Sequence, residues 1–268
     1  MISMEYHQIK TIHISKLKIM KKLIKELKNL TQLGVVGIKQ SFEDEGALQQ
    51  DVLVMRRITE QIGLDLSVKI GGCEAKTDIA FCESIGVDKI VAPMIESKFA
   101  LTKFIESITD IEGIKFYINI ESHQGQSIIV DLLDTPSSKL LSGVVVGRSD
   151  MIKSYGFSKE NTESYMMNNI AENVFREARI NKLETIMGGN ISSKSSNSIK
   201  KLYEKNLLKF IETRNVIIQL NDNNIENISN SINKSLLFES KWLEYKANYY
   251  NKIGKNYIDR SNLISNRI

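Results

Sequence analysis

Residues that form disulfides and zinc sites are scarce in this sequence. It contains two cysteines, Cys73 and Cys82, on one predicted helix, where their side chains point in different directions and disulfide geometry is disfavoured. We therefore expect two free thiols and a reducing compartment. The three histidines, His7, His13 and His123, have no ligand spacing with a cysteine, which argues against a zinc site and against a serine–histidine–aspartate triad.

A strong charge excess and a long apolar run are also missing. The 268 residues include 36 basic and 32 acidic ones, a net charge of +4, without the concentrated basic face of a nucleic-acid-binding protein. No apolar run is long enough to cross a bilayer, and the N-terminal residues lack the apolar core of a signal peptide. We expect a cytoplasmic protein without nucleic-acid or membrane partners, large enough for one α/β domain or two small ones.

The segment from Asp65 to Pro93 has the pattern of a strand–helix–strand unit. The apolar run DLSVKI contains Lys69 near its end, and a helical segment that stops at Gly86 follows it. A second short apolar run then ends before Pro93. Two strands joined by a helix must be parallel, so the polar residues at their carboxyl ends converge on one face. In parallel α/β folds that face carries the chemistry.

The same alternation continues along the chain. Strand-like runs are predicted at 33–39, 65–70, 89–92, 115–122, 142–150, 183–189 and 207–214, with a possible eighth at 216–220. Repeated strand–helix units over roughly 220 residues predict a (β/α)8 TIM barrel. An open doubly wound sheet is the main alternative. No GxGxxG motif follows the first strand, which argues against the dinucleotide-binding form of that alternative.

Amphipathic helices are predicted at both ends of the barrel. The first covers residues 15–30, with Ser15 as a candidate N-cap and a lysine-rich outer face. Such a helix could bind a membrane surface or a partner, but closing the barrel is the favoured interpretation, since interfacial aromatic residues are missing. A long helix closes the chain. We divide the sequence into an N-terminal helical extension (1–32), a barrel domain (33–253) and a polar tail (254–268).

Two carboxylates stand at predicted strand ends. Glu121 ends the fourth strand and Asp150 follows the fifth. Neighbouring strand ends lie about 5 Å apart, so the two side chains could share a hard divalent ion such as Mg²⁺. The alternative is that each one caps the helix that follows it. His123, just beyond Glu121, is either a proton carrier or a histidine without a role.

Cationic side chains also occupy strand ends. Lys69 is placed to bind a substrate carboxylate, or to form a Schiff base if its pKa is lowered. Lys39 holds the matching position on the first strand. Arg148 and Arg214 are further candidates, and either of them could be purely structural. Nearby Glu43 and Asp44 could simply neutralise the two lysines; this alternative stays open.

Several motifs together resemble one protein family. KIGGCEAKTDI, GVDKIVAPMIES, the strand ending at Glu121, and VVVGRSDMIKSYG are similar to the HpcH/HpaI aldolase and citrate lyase β-subunit family over about residues 33–215. The most specific element is a Glu at a strand end followed by Gly-x-x-Asp and Ser-x-Gly, here Glu121, Gly147 to Asp150, and Ser154 to Gly156. The resemblance implies a TIM barrel that binds Mg²⁺, or another divalent ion such as Mn²⁺, through that Glu and Asp.

The resemblance also implies a reaction. Members of the family break or form carbon–carbon bonds through a metal-bound enolate of pyruvate or of an acyl-CoA. The stretch FEDEG after the first strand is similar to the acidic motif of the citrate lyase branch. Two positions differ from the family pattern: Lys69 replaces the usual arginine at the end of the second strand, and no histidine lies near Glu43.

The sequence therefore predicts a metal-dependent carbon–carbon lyase or aldolase for a small 2-oxo acid or acyl-thioester. In this hypothesis Lys69 is catalytic, and Glu121 and Asp150 hold the metal ion. Lys39, Gly147 and Arg148 are the expected substrate contacts. A barrel that has lost catalysis and serves as a binding subunit, and a Schiff-base aldolase, are the alternatives. The resemblance also implies a homo-oligomer, a trimer or a hexamer.

Overall fold

The computed structural model describes residues 20–268, whose strands form one closed barrel. The eight strands follow one another around the barrel in chain order. They are β1 (Val35–Ser41), β2 (Asp65–Lys69), β3 (Lys89–Ala92), β4 (Lys115–Ile120), β5 (Leu141–Gly147), β6 (Glu184–Gly188), β7 (Phe210–Glu212) and β8 (Val216–Gln219). The eight-stranded barrel predicted from the sequence is confirmed.

Helices surround the barrel and close its ends. The first, α1, covers residues 20–30 of the described chain. The others are α2 (Gln49–Ile62), α3 (Lys76–Ser84), α4 (Lys98–Glu106), α5 (His123–Ser127), α6 (Ile129–Leu133), α7 (Arg148–Ser154), α8 (Tyr165–Ile180), α9 (Ser196–Glu204) and α10 (Ile228–Ser265). No helix between residues 20 and 268 is both long enough and apolar enough to span a membrane.

The last strand runs in the opposite direction to the other seven. Strands β1 to β7 pair in parallel, whereas β8 pairs antiparallel with both β7 and β1. The reason is the connection: only Thr213, Arg214 and Asn215 separate β7 from β8, and a parallel crossover needs a dozen residues or more. The eighth βα unit of a fully parallel barrel is thus replaced by a hairpin. Its turn lies at the same edge as the carboxyl ends of β1 to β7.

The barrel interior is filled by a layer of apolar side chains. These come from six of the strands, as alternation along each strand requires: Val91, Tyr117, Val145, Ile186, Phe210 and Ile217. A second, larger core lies between the strands and the surrounding helices. This layer fills the middle of the barrel, between two ends that carry polar and charged side chains.

The amino-terminal end of the barrel is closed by ion pairs. Lys89 binds Asp65 at 2.6 Å, and Lys209 binds Glu184 at 2.6 Å. The hydroxyl of Tyr117 donates a short hydrogen bond to Glu184, and burial together with that carboxylate raises the pKa of the tyrosine. The charged side chains at this end are thus paired with one another.

The two terminal helices pack against the barrel and against each other. Leu23, Leu27 and Leu30 of α1 are buried, and Lys241 of α10 binds Glu26 of α1 at 2.9 Å. The predicted N-cap Ser15 lies outside the described residues. Helix α10 continues without a break to Ser265, so most of the segment predicted as a polar tail is helical. The proposed domain boundaries remain a prediction.

Candidate active site

A cavity of about 340 Å³ opens at the carboxyl end of the parallel strands. Among residues 20–268, five cationic and five acidic side chains line it: Lys39, Lys69, Lys153, Lys159, Arg214, Asp44, Glu121, Asp150, Glu212 and Glu239. The parallel barrel explains this convergence, because each strand delivers its last inward-facing residue to the same edge. The sequence hypothesis gave roles to six residues, and the structure brings five of them to this cavity: Lys39, Lys69, Glu121, Gly147 and Asp150.

Lys69, the last residue of β2, is the centre of a buried charge cluster. Its side chain is 6% exposed, and its Nζ lies 3.0 Å from Glu121 Oε2 and 2.8 Å from Glu43 Oε2. Burial opposes the charge on Lys69, but attraction and hydrogen bonding from Glu121 and Glu43 outweigh it and raise its pKa. The group is therefore a permanent ammonium near neutral pH. A Schiff-base lysine needs the opposite shift.

Glu121 is the most deeply buried carboxylate of the cavity. Along β4, Tyr117 and Asn119 face inward, and Glu121 continues that alternation one residue beyond the strand. Its Oε2 accepts from Asn119 Nδ2 at 2.6 Å, and its Oε1 accepts from the backbone N–H of Met94 at 3.1 Å. Burial raises the pKa of Glu121, although Lys69 opposes the shift. One ammonium thus pairs with two carboxylates in this cluster.

The loop after β3 contacts Glu121 through a residue with an uncommon backbone conformation. Met94 has a φ of 49°, a left-handed conformation that is uncommon for a residue with a side chain. This conformation accompanies the hydrogen bond from its N–H to Glu121. Strained backbone of this kind is concentrated at functional sites.

Asn119 leaves one polar atom without a partner. Its residue is 4% exposed, its Nδ2 is used by Glu121, and its Oδ1 has no hydrogen-bond partner among residues 20–268. Gly147 lies directly against this pair: a Cβ there would come 2.8 Å from Glu121 Oε2 and 3.1 Å from Asn119 Oδ1. The close approach explains why a glycine ends β5.

Lys39 forms a second buried pair. Its Nζ lies 2.6 Å from Glu212 Oε1, at the end of β7. Gly188 makes room for this carboxylate, since a Cβ at Gly188 would lie 2.6 Å from Glu212 Oε1. Glu212 was not singled out from the sequence. Phe210 faces inward on the predicted seventh strand, and Glu212 lies two residues later on the same face. This spacing would have identified Glu212.

Asp150 lies in the first turn of α7, at the cavity rim. It is partly exposed, and its Oδ1 lies 2.9 Å from Nζ of Lys153. The pair is on the surface, so it is worth at most about 1 kcal/mol. A ligand can therefore displace Lys153 from Asp150 at little cost.

Arg148, one of the predicted substrate contacts, is not brought into the cavity. Its side chain is fully buried, and its guanidinium binds Glu163 at 3.0 Å and the carbonyl oxygens of Gly188 and Gly189 at 3.3 and 3.1 Å. It starts α7, one position after the inward-facing Gly147, and therefore points to the other side of the sheet. The guanidinium ties the loop after β6 to α7, so the role assigned from the sequence is corrected to a structural one.

His123 also lies away from the cavity. Its exposed ring packs on Tyr155 with centroids 4.6 Å apart, and its backbone N–H donates to Ser154 Oγ at 2.8 Å. This position favours the second alternative for His123, a histidine that takes no part in proton transfer.

A buried carboxylate that no sequence pattern singles out holds the β7–β8 turn. Glu239 of α10 accepts the backbone N–H groups of Arg214, Asn215 and Val216 at 3.0, 2.6 and 3.0 Å, and a short hydrogen bond from the hydroxyl of Thr213. Burial raises the pKa of Glu239 in spite of these donors. The closing helix thus holds the turn that completes the mouth of the barrel.

The available donors fit a hard divalent ion. Glu121 and Asp150 line the cavity, and so does Asn119, whose buried Oδ1 has no hydrogen-bond partner among residues 20–268. No group of three His, Cys, Asp or Glu side chains in the described part of the chain is arranged as a complete metal site. Mg²⁺ does not require one, because it often binds through one or two carboxylates together with water and substrate.

Comparisons with known proteins find likeness in fold but not in sequence. No protein-family model and no curated protein matches the chain. An HpcH/HpaI aldolase/citrate lyase family protein from Burkholderia cenocepacia J2315 aligns with 71% of this chain and 82% of its own, at a TM-score of 0.58 and 12% identity. The citrate synthase SbnG aligns over 82% and 90%, with a TM-score of 0.59 and 14% identity. A citrate lyase from Burkholderia xenovorans LB400 aligns over 79% and 73%, with a TM-score of 0.57 and 12% identity.

These structures confirm the predicted resemblance to the HpcH/HpaI aldolase and citrate lyase family at the level of the fold. Identities of 12–14% do not extend the likeness to individual site residues or to a substrate. Any function must therefore be argued from the cavity itself.

Proposed function

We propose that the protein is a metal-dependent carbon–carbon lyase or aldolase that acts on a small 2-oxo acid through an enolate. The observation that carries the proposal is the cluster of Lys69, Glu43, Glu121 and Asn119, which shares its cavity with Asp150. It combines a permanent ammonium with hard oxygen donors. Oxygen donors can hold a metal ion, and both such an ion and an ammonium can stabilise the negative charge of an enolate.

Lys69 has the chemistry to stabilise the developing negative charge. Its ammonium is already desolvated and held between two carboxylates, so little further ordering is needed when an anion approaches. A lysine offers a point charge rather than the fork of an arginine, so it favours one oxygen atom at a time. We assign that atom to the substrate carboxylate or to the enolate oxygen.

Glu121 and Asp150, with Asn119 Oδ1, would hold Mg²⁺ or Mn²⁺. A bound ion would supply Lewis-acid stabilisation of the charge on the keto oxygen. Charge balance supports such an ion. Cationic and acidic side chains of the described residues are equal in number around the cavity, and Glu43 beside Lys69 is a further acidic one. An anionic substrate gains little attraction from such surroundings without additional positive charge.

The size of the cavity favours the small 2-oxo acid over the acyl-thioester. About 340 Å³ is near the lower limit of ligand pockets, which range from roughly 300 to 1,000 Å³. A three- to six-carbon oxo acid fits wholly inside such a space. A coenzyme A thioester would place only its acyl end there.

Particular contacts bear on the two alternative functions, a Schiff-base aldolase and a binding subunit without catalysis. The raised pKa of Lys69 disfavours a Schiff-base aldolase that uses this residue, since the neutral amine is the nucleophile. A binding subunit without catalysis has one observation in its favour: Lys69, Lys39 and Lys153 each already have a carboxylate partner.

A pyruvate-release assay tests the proposal. Purified protein is stripped of metal, reloaded with Mg²⁺ or Mn²⁺, and supplied with a panel of 4-hydroxy-2-oxo acids, while lactate dehydrogenase reports pyruvate. We expect release from at least one member with metal and loss of release with chelator. Metal-dependent stabilisation without any pyruvate release would instead support the binding subunit.

A further inference from the structure

A second cavity, of about 510 Å³, lies between helices α8 and α9. Tyr165, Asn168 and Glu172 line it from α8, and Asn197 and Lys201 line it from α9. Spacings of three and four residues place these side chains on one face of each helix. No residue between 20 and 268 lines both this α8–α9 groove and the cavity at the strand ends. The groove is thus a separate candidate site, and its volume lies within the range of ligand pockets, roughly 300 to 1,000 Å³.

The acidic side chains of the α8–α9 groove are already paired. Glu163 accepts hydrogen bonds from Arg148 Nη1 at 3.0 Å and from Ser195 Oγ at 2.6 Å. Glu172 binds Lys205, which also lines the groove, at 2.6 Å. Within the described chain these are the only acidic residues that line it. Because neither carboxylate is free to attract a cation, a cationic ligand is disfavoured.

Two lysines of the groove have no such partner. Lys194 lies just before α9 and Lys201 lies within it, and neither ammonium has an ion pair or a hydrogen bond within residues 20–268. The two positions are two helical turns apart, about 10 Å along the axis, so both long side chains can reach one anion. A phosphate monoester carries about −1.5 to −2 charges at pH 7, which matches two ammonium groups. The unpaired charge of the groove therefore favours a phosphate group.

An unpaired oxygen of Asn168 indicates that the ligand also carries hydrogen-bond donors. Its Nδ2 donates to the carbonyl of Glu163 at 3.3 Å, whereas its Oδ1 is buried and has no hydrogen-bond partner among residues 20–268. A phosphate dianion has only acceptor oxygens, so the donor must come from another part of the ligand. Asn169 and Asn197 line the same groove, and their side chains make no hydrogen bond within the described chain. Side-chain amides combine donors with an acceptor, which suits hydroxyl groups.

We propose that the α8–α9 groove binds a sugar phosphate. Lys194 and Lys201 hold the phosphate group, and the hydroxyl groups of the sugar pair with the asparagine amides. The ring of Tyr165, which is 82% exposed, offers a flat apolar surface to the C–H face of the sugar. A nucleotide fits less well, because Tyr165 and Leu202 are the only apolar side chains that residues 20–268 place in the groove. The site takes no part in the proposed lyase reaction and does not depend on it.

Titration calorimetry with glucose 6-phosphate, fructose 6-phosphate and ribose 5-phosphate tests this site. We expect at least one of them to bind saturably, and more tightly than inorganic phosphate and than its own unphosphorylated sugar, because the groove has partners for both parts. Lys201→Gln removes one charged contact and should weaken binding of that sugar phosphate by about tenfold to hundredfold. Asn168→Leu, which is similar in volume, should also weaken it but should leave the affinity for inorganic phosphate unchanged.

Two other lysine variants are matched controls. Lys200→Gln changes a neighbouring residue of α9 that pairs with Glu226 at 2.7 Å and does not line the groove. Lys153→Gln changes a cation of the cavity at the strand ends. Both variants should bind the sugar phosphate as wild type does. Absence of saturable binding, an affinity in Lys201→Gln no lower than in either control, or tighter binding of AMP than of every sugar phosphate would each overturn the proposal.

Discussion

Removing the ammonium of Lys69 tests whether it neutralises Glu121. Lys69→Met keeps most of the side-chain volume but leaves Glu121, 2% exposed, without its cationic partner. Breaking a buried ion pair on one side costs about 3–5 kcal/mol. We therefore expect the free energy of unfolding at pH 8, measured in urea, to fall by about that amount. Lys153→Met, which removes the partner of the partly exposed Asp150, should cost at most about 1 kcal/mol.

The loss of stability in Lys69→Met should also depend on pH, in a direction that the structure predicts. Burial already raises the pKa of Glu121 in the folded protein, and loss of Lys69 should raise it further. A group whose folded pKa is raised favours the folded state below its unfolded pKa, and that stability is lost as pH rises through the folded pKa. Each pH unit in this window is worth about 1.4 kcal/mol for one proton. Lys69→Met should therefore be closer to wild type at pH 5 than at pH 8. A penalty equal to that of Lys153→Met at both pH values would refute the charge cluster.

Two further predictions follow from the same geometry, and a third follows from the family resemblance. Mg²⁺ or Mn²⁺ should raise the melting temperature of wild type, and Asp150→Asn should lose most of that shift in a thermal-shift titration; equal shifts would remove Asp150 from the metal site. Gly147→Ala should destabilise the fold by about 1–3 kcal/mol through contact with Glu121 and Asn119, whereas Gly72→Ala, with open space around it, should be nearly neutral in urea unfolding. Light scattering should return a trimer or hexamer, and the monomer mass alone at micromolar concentration would contradict the expected assembly.

Alternation along parallel strands explains what the sequence could predict. Lys39, Lys69, Glu121 and Gly147 are inward-facing residues at the ends of strands recognisable from their apolar runs, and all four reach the cavity. Arg148 was misassigned because one position separates the inward from the outward side of a strand. A residue one position earlier faces the cavity, whereas the side chain of Arg148 is buried and pairs with Glu163.

The reversed strand could have been predicted from the sequence, but the helix contact that holds its turn could not. The three residues between β7 and β8 are too few for a crossover, and this spacing could have predicted the hairpin. The role of Glu239 could not be predicted in that way. An acidic residue within a long amphipathic helix is ordinarily solvated, and its four partners lie more than twenty residues away in the chain.

Hydrogen exchange at C3 of pyruvate tests the central claim most directly, because it needs no knowledge of the second substrate fragment. The methyl signal of pyruvate is followed by NMR in D2O with metal-loaded protein, metal-stripped protein and Glu121→Gln. We predict that metal-loaded wild type accelerates loss of the signal well above the rate with free metal ion, and that stripping or Glu121→Gln removes the acceleration. Exchange at the free-ion rate in metal-loaded wild type that still binds pyruvate would contradict an enolate-forming site.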